Sequence, residues 1–399
     1  MSGIIKRLFG WSNKKKKTEK TTDKIESMSK LAGLLYRKGD YKGAEPLFRR
    51  ALEGRERVLG KEHPDTLTSM NDLAVLLESK GDYKGAEQLY RCALKGRERV
   101  LGKEHPDTLT SVNNLGVLLY HKGDYKGAEQ LYRRALEARE HVLGKEHPDT
   151  LGSGISLALL LGSKGDYGGA EPLYRHALET YERVLGHEHP DTLISANNLA
   201  LLLYSKGDYE GAEPLTRRAL EGQERVLGNE HPDTLTSANN LAVLLYSKGD
   251  YEGAEPLYRR ALEGREDVLG QDHPDTLGSM HNLAGLLESK GDYEGAESLY
   301  RRALVTYERV LGKEHPDTLI SVNNLADLLE SKGDYEGAEL LFRRALEGIC
   351  KISSKMGSAH PHLDTFINNY ASCLQKMGMN EEEVRQRLEA VLKPYGFSI

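Results

Sequence analysis

Between His231 and Gly270 the apolar residues fall into two stripes of helical period. The first runs Leu235, Ala238, Leu241, Ala242, Leu244 and Leu245, which share one helix face at about 100° per residue. Pro232 suits the first turn of that helix, where its missing N–H costs nothing, and Asp233 adds a favourable charge. Gly249-Asp250 then predicts a break, because glycine accepts the left-handed cap conformation. The second stripe follows at Ala254, Leu257, Tyr258, Ala261, Leu262, Val268 and Leu269, and Gly270 ends it. The pattern predicts helix, turn and helix, with neither stripe buried unless further copies stack against it.

Such copies exist. Gly-Asp-Tyr recurs at Gly39, Gly81, Gly123, Gly165, Gly207, Gly249, Gly291 and Gly333, always 42 residues apart. His-Pro-Asp-Thr keeps the same register from His63 to His315. After a slip of three residues, His360 to Thr365 and Asn368 to Gly378 form a ninth, degraded copy. A fixed period of this size is the mark of a solenoid. The expected organisation is a basic, disordered tail over 1–21, eight repeats over 22–356, a divergent capping repeat over 357–393 and a tail over 394–399. Glu45–Arg49 and Glu53–Arg57 on the second helices are spaced by four, which predicts a solvated face and nothing about function.

The residues also support a family resemblance. Leu241-Ala242, Gly249, Tyr251, Ala254, Tyr258 and Ala261 match the tetratricopeptide pattern, and the match repeats from about residue 22 to 393. The ordinary form of that repeat closes with a proline soon after its last alanine. Here Glu266 stands in that place and the helix continues to Leu269. This longer unit, with Arg-Ala-Leu-Glu, Val-Leu-Gly and His-Pro-Asp, resembles the repeats of kinesin light chains. The resemblance implies an all-α, right-handed superhelical solenoid of antiparallel helix hairpins. It further implies an adaptor that binds peptide segments of partner proteins in a concave groove formed by the first helix of each repeat. A kinesin-linked cargo adaptor is one alternative, and a self-associating rod is another. The two dozen residues ahead of the repeats are too few for the heptad region expected of a motor's light chain.

Composition narrows the classes. A length of 399 residues suggests two or three globular domains, but stacked repeats overrule that expectation. Hydrophobic content is 38% with 5 Phe and 1 Trp, lean for one large closed core. The net charge of −6 is uneven: eight basic and two acidic residues in 1–24 leave −12 on the rest. An acidic body argues against nucleic acid, which needs a basic track. The 3 cysteines, Cys92, Cys350 and Cys373, fit free thiols in a reducing compartment. No run reaches the ~20 apolar residues of a membrane span, and Lys6-Arg7 splits the only leader-like stretch. A cytoplasmic protein is expected.

Candidate chemistry is sparse. The His-Pro-Asp-Thr copies invite a metal reading, but packed helices sit ~8–10 Å apart and zinc ligands must converge at ~2 Å. A turn and helix start is the expected role of these residues. No nucleophile elbow, phosphate loop or His-Glu-x-x-His occurs, so neither enzyme activity nor a cofactor is expected. Ile4, Ile5, Leu8, Phe9 and Trp11 ahead of Lys14 to Lys17 offer a membrane-surface contact over 1–17. The same lysines also read as a nuclear address or as part of a solvated tail.

The strongest functional signal lies on the first helix of each repeat. Ala238, Leu241 and Leu245 point one way, while Thr236, Asn239, Val243 and Tyr246 point the other, with Asn240 on a flank. The candidate groove residues are Asn113, Asn114, Tyr120, Asn197, Asn198, Tyr204, Asn239, Asn240, Val243, Tyr246, Asn282, Glu288, Asn323, Asn324, Asp327 and Glu330. Asparagine offers a donor and an acceptor to an extended peptide backbone, or else ties neighbouring helices together. Tyrosine and valine favour aromatic or aliphatic anchors. In repeats seven and eight Glu288, Asp327 and Glu330 replace them, and lysine and arginine are nearly absent from this face. The expected partner segment therefore carries apolar anchors and basic residues. Gly152, Gly154 and Gly162 in the fourth repeat predict a weak helix.

Overall fold

The computed structural model describes residues 22–356 and 359–398. The candidate membrane or nuclear segment, 1–17, lies outside the described residues. All regular structure among the described residues is helical. Helix α1 covers 22–37 and pairs in sequence with α2 (Tyr41–Leu59). Then come α3 (Pro64–Ser79), α4 (Tyr83–Val100), α5 (Pro106–His121) and α6 (Tyr125–Leu143). The fourth and fifth repeats supply α7 (Pro148–Ser163), α8 (Tyr167–Leu185), α9 (Pro190–Lys206) and α10 (Tyr209–Leu227). The sixth and seventh supply α11 (Pro232–Ser247), α12 (Tyr251–Leu269), α13 (Pro274–Ser289) and α14 (Tyr293–Val310). Last are α15 (Pro316–Ser331), α16 (Tyr335–Met356), α17 (Leu363–Lys376), α18 (Glu381–Leu392) and a 3₁₀ turn at Lys393–Tyr395.

The chain divides into two compact units, one of residues 1–119 with 130–150, the other of 120–129 with 151–399. In the first, α3 packs on α4 as a hairpin and on α2 before it. In the second, α9–α10, α11–α12, α13–α14 and α15–α16 form the hairpins, and each second helix packs on the first helix of the next repeat. This is the all-α hairpin solenoid that the period predicts.

The repeated motifs are helix caps. His231 precedes α11, and its Nδ1 accepts the backbone N–H of Asp233 at 3.2 Å. His63, His189, His273 and His315 do the same. Pro at the next position has no N–H to leave unpaired. At Thr66, Thr108, Thr192, Thr276 and Thr318 the threonine of the motif closes the turn from the other side, as Thr192 Oγ1 donates to Gly186 O at 2.8 Å. The histidines of successive repeats thus serve separate helix ends. Among the described residues no group of three or more His, Cys, Asp or Glu side chains converges on a metal position.

Asp250 caps α12 by accepting the Gly253 N–H at 2.9 Å. Its carboxylate occupies the place where a Cβ on Gly253 would stand, so this glycine is a steric requirement of the cap. Gly249 just before it takes φ +83°, which ends α11.

The expected stripe on α11 is buried throughout, from Leu235 to Leu245. On α12, Ala254, Tyr258, Ala261 and Leu262 are buried too. Val268 departs from expectation and is 48% exposed, and Val100, Val142 and Val226 are exposed at the same repeat position. The Glu45–Arg49 pair forms, and Glu45 also meets Lys80, the C-cap of α3. Cys92 is exposed, Cys350 and Cys373 are buried, and all three are free. Among the described residues no helix is long and apolar enough to cross a membrane.

Candidate binding face of the first helices

Beyond the first turn of α11 the partly exposed positions are Thr236, Asn240, Val243, Tyr246 and Ser247. The structure therefore exchanges the two asparagines of the sequence expectation: Asn239 is buried and Asn240 shares the open line with Thr236 and Val243. Both helices flanking α11 in the array, α9 and α13, contact it, so the open strip narrows to the spacing 236, 240, 243 and 247.

The amides then divide by partner. Asn197 is buried and its Nδ2 donates to Ser237 Oγ at 2.6 Å, tying α9 to α11. Asn282 Nδ2 donates to Asn239 Oδ1 at 2.9 Å, tying α13 to α11. Asn324 Nδ2 lies 3.2 Å from Nδ1 of His281, a half-buried ring with its Nε2 enclosed; desolvation pushes its pKa down to about 4, so the neutral ring accepts. Asn323 Nδ2 donates to Asp327 at 3.0 Å. For Asn197, Asn239, Asn282 and Asn324 the helix-tying role is what the geometry displays, whereas the bond of Asn323 stays within α15. Asn113 and Asn114 are half-buried, and Oδ1 of Asn113 is buried without a partner. Asn198 and Asn240 are half-buried on the open line, and their amides bond no other described residue.

The tyrosines form a second set of ties. Tyr120, Tyr204 and Tyr246 each place a hydroxyl 2.8 Å from the serine 43 residues on, at Ser163, Ser247 and Ser289. Tyr36 and Ser79 are 3.0 Å apart in the same way. Each ring also leans on the tyrosine that opens the next helix, as Tyr204 does on Tyr209 with centroids 5.5 Å apart. The rings stay half-buried, so they present an apolar edge whose hydroxyl is already engaged.

In the second unit the open line changes character along the chain. Leu159 on α7 is 51% exposed and Leu201 on α9 is 40% exposed, with Ile194 beside it. Val243 follows at the same repeat position, then Gly285 on α13 and Asp327 on α15. Asp327 Oδ2 accepts from Asn323 and, at 3.4 Å, from Asn369 of α17. Glu288 Oε1 accepts from Ser331 at 2.9 Å. Glu330 Oε1 meets Lys376, while its Oε2 is buried without a partner. Burial first, then the carboxylates of Glu330 and Glu288, push Asp327 up to about 7, against the pull of Lys376.

Cations reach this face by a route the sequence did not disclose. Lys376 comes from α17. Arg97 and Arg265 come from second helices, are buried, and pass between repeats to the open line, where each Nη2 donates to a threonine (Thr68, Thr236) at 2.8 Å. Arg265 Nη1 also donates to Ser279 Oγ at 2.7 Å. The available signal was the Gly-Arg step at Gly54-Arg55, Gly96-Arg97 and Gly264-Arg265. Gly264 leaves the space that Leu235 fills, and the arginine beside it is then drawn in between helices.

A family model described as Tetratricopeptide repeat matches residues 23–99, 149–225, 196–267, 239–304 and 275–351. A second model of that description matches 108–149. No curated protein matches the chain. Among solved structures, a Podosopora anserina putative kinesin light chain with nearly identical TPR-like repeats shares 26% identity. That match covers 52% of this chain and 98% of that one, with a TM-score of 0.42. BtubC (BKLC) from P. vanneervenii shares 25% identity over 61% of this chain and 93% of its own, with a TM-score of 0.46. The signal transduction ATPase of Pyrococcus horikoshii with a tetratricopeptide repeat sensor shares 15% identity. It covers 90% of this chain and 53% of its own at a TM-score of 0.50, a likeness of fold alone. With the family models matching most of the repeat region and one pair of caps recurring through the array, the chain belongs to the tetratricopeptide repeat family, in a form with a 42-residue period.

Proposed function

We propose that this chain is a scaffold that holds extended segments of partner proteins along the first-helix face of its second unit. Tetratricopeptide repeats generally mediate protein interactions, and the finer reading rests on one observation. Leu159, Leu201 and Val243 occupy the same place in successive repeats, the two leucines openly exposed, and Asp327 takes that place two repeats later. An apolar line left in water is unfavourable by ~25 cal/mol per Å², which a bound segment would recover. Asn198 and Asn240 flank the line with free amides for a peptide backbone. The face thus suits aliphatic or aromatic anchors followed by basic residues, with the half-buried Tyr204 and Tyr246 at its edge.

Affinity capture with the full chain tests this, comparing it with a Leu159→Ser/Leu201→Ser variant and a Glu288→Lys/Glu330→Lys variant. The first should lose partners outright, and the second should associate more slowly with a flatter salt dependence. Partners retained by both variants, or partners whose essential motif is acidic, would overturn the reading. The narrower role of a kinesin-linked cargo adaptor draws support from the 42-residue repeat form. The rod reading predicts sedimentation that rises with concentration, and a concentration-independent value would dismiss it.

A further inference from the structure

Helix α13 differs from its neighbours on the open line. Gly278 and Gly285 stand where α11 has Thr236 and Val243. A Cβ built on Gly278 would meet nothing within 4 Å, and one on Gly285 would meet a single atom, the Tyr300 hydroxyl, at 3.5 Å. Bare helix backbone therefore forms a notch between the row of Val243 and that of Asp327, and Tyr300 is its floor.

Tyr300 is only 5% exposed, yet its hydroxyl bonds no other described residue. The same residue type in the second repeat shows what is missing. Tyr90 donates to Glu78 at 3.0 Å, and Glu78 occupies the repeat position of Glu288. In the seventh repeat Glu288 instead takes Ser331 on Oε1. The Tyr300 ring is buried, and its hydroxyl is left unpaired at the space above Gly285, free to meet a donor there.

The walls are acidic. Asp327 receives both of its amide donors on Oδ2, and Oε2 of Glu330 has no partner. Burial first, and then the nearby carboxylates of Glu288 and Asp327, hinder the ionisation of Tyr300. Three carboxylates therefore face one ammonium, that of Lys376.

We propose that the notch at Gly285 seats the ammonium of a lysine side chain from the bound segment, with the Tyr300 hydroxyl, Asp327 and Glu288 as its acceptors. The proposal rests on the peptide-scaffold reading above. An ammonium carries three donors on a compact point, which matches three converging acceptors, whereas a guanidinium presents a flat fork. The slim methylene stem of lysine passes over a glycine where a valine would obstruct it. A cation here also favours the ionised form of Asp327, so seating it releases a proton near neutrality.

The probe is a fluorescent peptide, Leu-Ser-Ser-Leu-Ser-Ser-Lys, together with its reversed sequence. Its spacing follows from geometry: an extended chain advances ~3.3 Å per residue, so about three residues span helices packed ~10 Å apart. Fluorescence anisotropy with the full chain should show the lysine probe binding about tenfold more tightly than its ε-acetyl-lysine counterpart. Gly285→Val, which copies Val243 of the sixth repeat, and Tyr300→Phe should each reduce that ratio to about twofold or less, with circular dichroism confirming the fold. Leu201→Ser should weaken both probes alike. From pH 6 to pH 8 the ratio should rise. The groups facing Asp327 in that range are Glu288 on α13, Tyr300 on α14, Glu330 on α15, and Lys376 and Asn369 on α17. Equal binding of the lysine and acetyl-lysine probes, or a tighter arginine version, would overturn the lysine seat. Failure of every probe to bind would count against the scaffold reading itself.

Discussion

The hydroxyl of Tyr246 on α11 lies 2.8 Å from Oγ of Ser289 on α13. The pair joins first helices of successive repeats across an exposed surface, so its net worth is that of a partly solvated hydrogen bond. A double-mutant cycle of Tyr246→Phe and Ser289→Ala should give a coupling of about 0.5–1 kcal/mol in thermal stability. Zero coupling would mean that water replaces the contact without loss. Tyr246→Ala should destabilise the chain as well as any complex, which makes Tyr246→Phe the better probe of binding.

Helix α7 should be the weak element of its region. Gly152 has open space around its missing Cβ, so Gly152→Ala should stabilise by about 0.5–1 kcal/mol. Gly162→Ala should yield less, because its new methyl would sit 2.9 Å from Leu202 Cδ1. Hydrogen exchange over 148–164 should be faster than over 232–248 in the parent chain, and Gly152→Ala should narrow the gap. Equal protection in the parent would refute the idea.

Asp327 makes stability fall as pH rises. Its carboxyl is raised in the folded chain from an ordinary 3.8 to about 7, chiefly by burial. Between those values the folded state holds a proton that the unfolded state has lost, so the contribution to stability declines towards neutrality. Asp327→Asn keeps an oxygen for Asn323 and Asn369 and should raise the melting temperature at pH 8. The gain should be about 1–2 kcal/mol and should vanish near pH 4. A gain that is constant across pH would show that the acid is not the cause.

The histidine caps admit a direct substitution test. His231→Ala leaves the Asp233 N–H without its acceptor and should cost about 0.5–1 kcal/mol. His231→Asn supplies a side-chain oxygen at the same place and should recover most of that loss in a thermal melt. If the asparagine variant is no better than the alanine one, the histidine acts through packing.

Much of the fold was legible in the residues. Both helices of the hairpin follow from stripes such as Leu235 to Leu245, and their ends from Asp250 and Gly249, because caps and periodicity act within a few residues. The candidate face was legible only in outline. A helical wheel placed Asn239 outward and Asn240 on a flank. The choice between them depended on how far α9 and α13 close over α11, a distance that no single helix specifies.

The sequence by itself determined the repeat, its caps, its core stripes and the change from apolar to acidic residues towards the later repeats. Each of these is a local or periodic property of the chain. Only the tertiary structure decided which polar groups are spent within the array and which remain open. Asn197 and Tyr246 find partners some 40 residues away. Arg97 and Arg265 thread between helices to the candidate face. Tyr300 is left without a partner where Tyr90 bonds Glu78, while the equivalent Glu288 bonds Ser331. Hydrogen bonds between repeats depend on ångström-scale approach, and that distance is set by the packing of whole helices and not by the spacing of letters along the chain.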